Sequence, residues 1–116
     1  MIRSLARPAG RPLLPTLALA AAALCALGAS AQQAATTVSQ KSRVFHPREV
    51  EVALGDSVVF LNDDGELLHH VYSRDAGFDI GEQAAGTRVP VRFSKRGTFE
   101  VRCDIHPRML LRVTVK

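Results

Sequence analysis

Beyond residue 37 the chain is built from short runs in which apolar and polar residues alternate, each closed by a turn signal. A period of two marks strands with one buried face, because successive side chains on a strand point to opposite sides. The pattern predicts a first strand over Val38–Phe45 and a second over Glu49–Leu54, where charged and apolar residues take turns. Gly55-Asp56 then turns the chain into Ser57–Leu61, whose nearly continuous apolar character predicts a central strand. Asn62-Asp63-Asp64-Gly65 reads as a loop, and His69–Ser73 as a short strand. Residues 74–86 look irregular and carry Gly77, Gly81 and Gly86. Thr87–Phe93 alternates again, and its Pro90, which lacks a backbone donor, suits an edge strand or a bulge. Thr98–Cys103 and Leu110–Val115 are the last two strands. Neither an amphipathic helix nor an internal repeat follows residue 31.

Short strands with frequent turns predict an all-β fold, a Greek-key β-sandwich of about seven to eight strands. An open barrel fits the same periodicity. Phe60, Phe93, Phe99 and Leu111 are the core candidates. Phe78 is expected to cover the loop region, and His46, beside Pro47, to be structural or exposed.

The first residues follow another pattern. Arg3, Arg7 and Arg11 lead, an apolar run extends from Leu13 to Leu27, and Ala29-Ser30-Ala31 supplies small residues in A-x-A spacing. This is the layout of a secretory signal peptide. It predicts residues 1–31 as a cleaved signal, 32–116 as one domain, and the periplasm as its location. A membrane anchor would need about 20 apolar residues, more than this run supplies. A lipid anchor at Cys25 is disfavoured by Leu24 just before it.

Cleavage changes the charge and cysteine arithmetic. The whole chain has 15 Lys+Arg and 11 Asp+Glu, a net of +4. Three arginines leave with the leader, so residues 32–116 hold 12 against 11, a net of +1. That balance does not point to nucleic-acid binding, which needs a concentrated basic face. Cys25 leaves too, and Cys103 remains alone, which excludes a disulfide framework. A lone thiol in an oxidising compartment calls for burial or ligation.

The last loop reads Cys103-Asp104-Ile105-His106-Pro107-Arg108-Met109. A thiolate, an imidazole and a thioether recur at three-residue intervals between two strands. His69 and His70 offer a second imidazole from another strand. Thiolate and thioether suit copper(I), imidazole suits copper(II), and two histidines, a cysteine and a weak axial methionine make a blue-copper ligand set. Taken singly, each residue has a plainer reading: Met109 as core, His106 as a loop histidine, Cys103 as a small buried hydrophobe. A Cys-x-x-His pair alone also serves zinc. Asp63, Asp64 and Glu66 form an acidic turn, read as a solvated loop.

Over nearly the whole of residues 32–116 the chain resembles the cupredoxins, in particular the small plastocyanin-like and amicyanin-like proteins. The resemblance lies in Phe45-His46-Pro47, Val50-Glu51-Val52, Gly55–Asn62, His69-His70-Val71 and Gly97–Cys103. The Cys-x-x-His-x-x-Met spacing is similar to the short amicyanin loop. The resemblance implies one copper ion held by His69, Cys103, His106 and Met109. It places the first ligand at His69, and strand alternation agrees, since His69 and Val71 share a face while His70 points away. It also implies a bond from the backbone N–H of His70 to the cysteine sulfur. A histidine stands where the family has an asparagine at position 70, so the side-chain bond between the two ligand loops needs a substitute, for which Asn62 is the candidate. Arg108, beside the methionine, departs from the family's apolar patch and suggests a partner with acidic groups at its docking face.

The expected function is single-electron transport by a monomeric, non-enzymatic blue copper protein acting between periplasmic redox proteins, with the His106 ring edge as the electron port. A copper carrier or resistance protein could use the same ligands. A metal-free β-sandwich interaction module would leave the Cys-His-Met spacing as coincidence. A multicopper oxidase or nitrite reductase needs further copper centres, for which the chain has too few histidines. A dinuclear purple site needs two cysteines.

Overall fold

Alternation along the chain folds into two sheets. The computed structural model describes residues 35–116 together with Ala6, 8–13 and Pro15. Most of the predicted signal peptide, and the whole of its cleavage site, therefore lie outside the described residues. By its internal contacts the chain divides into units 1–30 and 31–116, and the second is described below.

Nine strands form among the described residues: β1 (Ala35–Lys41), β2 (Val44–His46), β3 (Glu49–Val52), β4 (Ser57–Asn62), β5 (His69–Ser73), β6 (Phe78–Gln83), β7 (Arg88–Arg92), β8 (Gly97–Cys103) and β9 (Leu110–Val115). One sheet has the order β2-β1-β4-β7, the other β3-β9-β8-β5-β6. Both are mixed, with β1 parallel to β4 and β3 parallel to β9. Pro90 falls in β7, at a sheet edge where a missing donor does least harm.

Two segments differ from the sequence reading. The strand expected over Val38–Phe45 is a hairpin, turned at Ser42 and Arg43. Both residues adopt left-handed backbone, with φ of 53° and 56°. A two-residue turn of this kind normally uses Asn-Gly or Asp-Gly, so its usual signal is missing here. The stretch 74–86, expected to be irregular, contains β6 paired with β5.

The inward rows of both sheets meet in one core. Val58 and Phe60 of β4 face Val71 of β5, Phe99 and Val101 of β8, and Leu111 and Val113 of β9, all buried. Phe78 packs against Phe60 and Phe93, so it belongs to this core rather than to the loops. His46 is exposed, as expected, with Nε2 3.2 Å from the Lys41 carbonyl oxygen. The row on β8 ends at Cys103 and the row on β5 begins at His69. Val71 pairs with Cys103, which sets both rows at the same end of the sandwich.

Candidate metal centre

At that end three donor atoms converge. Nδ1 of His69 lies 3.7 Å from Sγ of Cys103, Nδ1 of His106 lies 3.7 Å from the same sulfur, and the two nitrogens are 3.2 Å apart. His69 is fully buried and Cys103 is 1% exposed. Metal–nitrogen bonds of about 2.0–2.1 Å and a metal–sulfur bond of about 2.3 Å, at angles of about 100–120°, set their donors about 3.1–3.8 Å apart. The observed spacings of 3.2 and 3.7 Å fit one ion shared by all three side chains.

Two of the three donors, Cys103 and His69, are held from outside. The backbone N–H of His70 donates to Cys103 Sγ at 3.3 Å. The N–H of Asp104 donates to the His70 carbonyl at 2.9 Å, which ties the two ligand loops together by backbone alone. Asn62 does not take that role. Its amide donates to the carbonyls of Leu67 and Gln83, and its carbonyl accepts from the Asp64 N–H. Asn62 thus fixes the loop leading into β5. Met109 is buried, and its N–H donates to the His106 carbonyl at 2.9 Å, closing the ligand loop. The side chain of His70 pairs with Asp79 on the outer face.

Asp64 is the residue that sequence reasoning misplaced. Far from being wholly solvated, its carboxylate accepts from the N–H groups of Ser42 and Arg43, each at 2.9 Å, and from Nε2 of His69 at 2.9 Å. Both left-handed residues of the β1–β2 turn therefore aim their amides at the group that orients the first histidine. With Nε2–H engaged, the lone pair of Nδ1 is directed at Cys103 and His106. Burial alone would raise the Asp64 pKa, but the amides of Arg43 and Ser42 and the His69 ring outweigh it, and the carboxyl is held below its usual range. His106 is also shifted downward, first by desolvation and then by the neighbouring His69 and Arg43. Its ring is thereby biased to the neutral form that can coordinate a metal. The one sequence signal for Asp64 was chemical: a buried ligating imidazole needs an acceptor for its second nitrogen.

A buried amide network underlies this shell. Gln40 donates to Gln83, and Gln83 donates to the carbonyls of Phe60 and Thr87. Gln83 also stands opposite His69 in the β5–β6 register.

Known structures share this architecture. A purple cupredoxin from Nitrosopumilus maritimus superposes with a TM-score of 0.63 at 21% identity, covering 70% of this chain and 99% of the other. A reduced Cu(I) form of an amicyanin variant gives 0.64 at 23% identity, over 76% and 88%. The copper-containing nitrite reductase of Thermus scotoductus SA-01 gives 0.66 at 28% identity, over 78% of this chain but only 24% of the reductase chain. No family model and no curated protein matches the sequence. The fold is that of the cupredoxins, with three convergent donors at one end of the sandwich.

Proposed function

We propose that the protein is an exported one-electron carrier, with a single type 1 copper ion bound by Nδ1 of His69, Sγ of Cys103 and Nδ1 of His106, and with Met109 as a weak axial ligand. The observation that carries this reading is the convergence of one thiolate and two imidazoles, with His69 and Cys103 each restrained by an outer hydrogen bond. Copper supplies reversible one-electron chemistry at such a site, accepting an electron from a donor and passing it to an acceptor. The side chains keep reorganisation small. His69 is locked by Asp64, Cys103 is anchored at a strand end, and His106 sits in a loop closed by the Met109 amide. The N–H of His70 disperses charge on the sulfur, which favours the reduced form and raises the potential. His106, half-buried in the loop, is the route by which an electron leaves.

In this account residues 1–31 direct export and are removed, and residues 32–116 work in the periplasm with a redox partner protein. Mass analysis of the periplasmic protein should find a chain starting at Gln32. Copper loading should give an intense visible charge-transfer band that Cys103→Ser abolishes. Rapid electron self-exchange supports the shuttle, whereas copper transfer to a metal-free partner without such exchange would favour a copper carrier.

A further inference from the structure

We propose that Arg43, Arg48, Arg108 and Arg112 form a docking groove beside the metal centre for an acidic segment of the redox partner; this rests on the electron-carrier reading. The four arginines come from distant points in the sequence: the β1–β2 turn, the β2–β3 connection, the ligand loop and β9. They converge on a groove of 410 Å³ whose floor includes Met109 and whose only acidic lining residue among those described is Glu49. All four are exposed, and none makes an ion pair with a described residue. Residues 32–116 taken as a whole are close to charge balance. The concentrated basic face absent from the net charge is thus assembled locally by the fold.

A second depression, next to His70, is lined by charges of both signs, Asp79, Asp104 and Arg74, and Asp79 is paired with His70. The exposed Ile105 lies in the same loop as Asp104 and Arg108, directly before His106. A partner approaching His106 therefore meets concentrated positive charge on the side of the arginine groove and mixed charge at the second depression, which selects one orientation as well as attracting it.

Solvation favours a protein segment over a lone small anion. An exposed ion pair strengthens binding only a few-fold. Several carboxylates on one segment engage several guanidiniums at once, each geometrically suited to a carboxylate. Their fields add within a Debye length of about 10 Å at 0.1 M salt.

The test is titration of the Cu(I)-loaded protein with hexaglutamate at low ionic strength, followed by backbone-amide NMR. Shifts should cluster at residues 43–49 and 108–112 and fade with added salt. Arg48→Glu combined with Arg112→Glu should weaken binding by roughly tenfold or more. Arg96→Glu, in the β7–β8 turn, should not. If the double reversal does not fold, Arg48→Gln with Arg112→Gln should give a smaller loss in the same direction. Shifts centred elsewhere, an unchanged affinity in the folded variants, or tighter binding of a DNA oligonucleotide than of hexaglutamate would overturn the proposal. A second arm uses inorganic oxidants. The double reversal should slow oxidation by anionic ferricyanide and speed oxidation by a cationic cobalt(III) tris-phenanthroline complex; equal effects on both would overturn it. Failure to bind copper would sink the electron-carrier reading, while hexaglutamate binding could still be read on the metal-free protein.

Discussion

Replacing Asp64 by alanine perturbs the whole arrangement at its hinge. The fully buried His69 loses the acceptor for its Nε2–H, which costs about 1–3 kcal/mol when nothing replaces it. The amides of Ser42 and Arg43 lose theirs too, but both residues are exposed and rehydrate, at about 0.5–1.5 kcal/mol each. Left-handed backbone is itself unfavourable for these non-glycine residues, by about 1–2 kcal/mol apiece, so the turn loosens once the carboxylate is gone. The metal-free variant should therefore be less stable by about 2–6 kcal/mol in chemical denaturation. Copper affinity, measured by chelator competition, should fall about 10–100-fold because the His69 ring is no longer oriented. Asp64→Asn keeps one acceptor oxygen and loses the charge, so it should fall between the two proteins. If Asp64→Ala changes stability by less than about 0.5 kcal/mol and leaves copper affinity intact, the carboxylate is not what holds His69.

Other consequences are equally open to measurement. Met109→Leu should preserve the visible colour but shift the reduction potential; an unmoved potential in voltammetry argues against axial ligation. Phe60→Ala, at a fully buried site packed against Phe45 and Phe78, should cost about 3–5 kcal/mol in urea unfolding. The metal-free protein should lose stability on acidification in two stages. The folded pKa of His106 lies below 6.5, so the unfolded chain binds the extra proton first and stability declines as pH drops under 6.5. The folded pKa of Asp64 lies below 3.8, so its contribution is complete above that value and is lost as pH falls through the folded pKa. Thermal melts across that range should show no compensating gain, and a rise in stability between pH 6.5 and 5 would contradict the His106 assignment.

The three donors that converge were named from the Cys-x-x-His-x-x-Met spacing and the resemblance to cupredoxins, with alternation in agreement. His69 starts an inward row and Cys103 ends one, and the period of two agreed with His69 rather than His70 as the inward residue. Pro90 pointed to an edge strand or a bulge, and the fold takes the first of these at β7. What stayed hidden depends on contacts between distant segments. The Ser42-Arg43 turn lacks glycine and asparagine, and its left-handed conformation is sustained by Asp64, over twenty positions away. Residues 74–86 hid β6 among glycines because its stability comes from pairing with β5. Asn62 looked like a bridge to the cysteine loop, yet its amide is committed to Leu67 and Gln83. The arginine groove gave only one hint, at Arg108, because its four members are separated by up to 69 positions in the chain.

The most direct test of the account is the visible and electron-paramagnetic spectrum of the copper(II)-loaded protein beside that of Cys103→Ser. The account predicts an intense charge-transfer band and a narrow copper hyperfine splitting in the wild type, both absent from the variant. Stoichiometric copper binding without the band, or a band that survives Cys103→Ser, would contradict it.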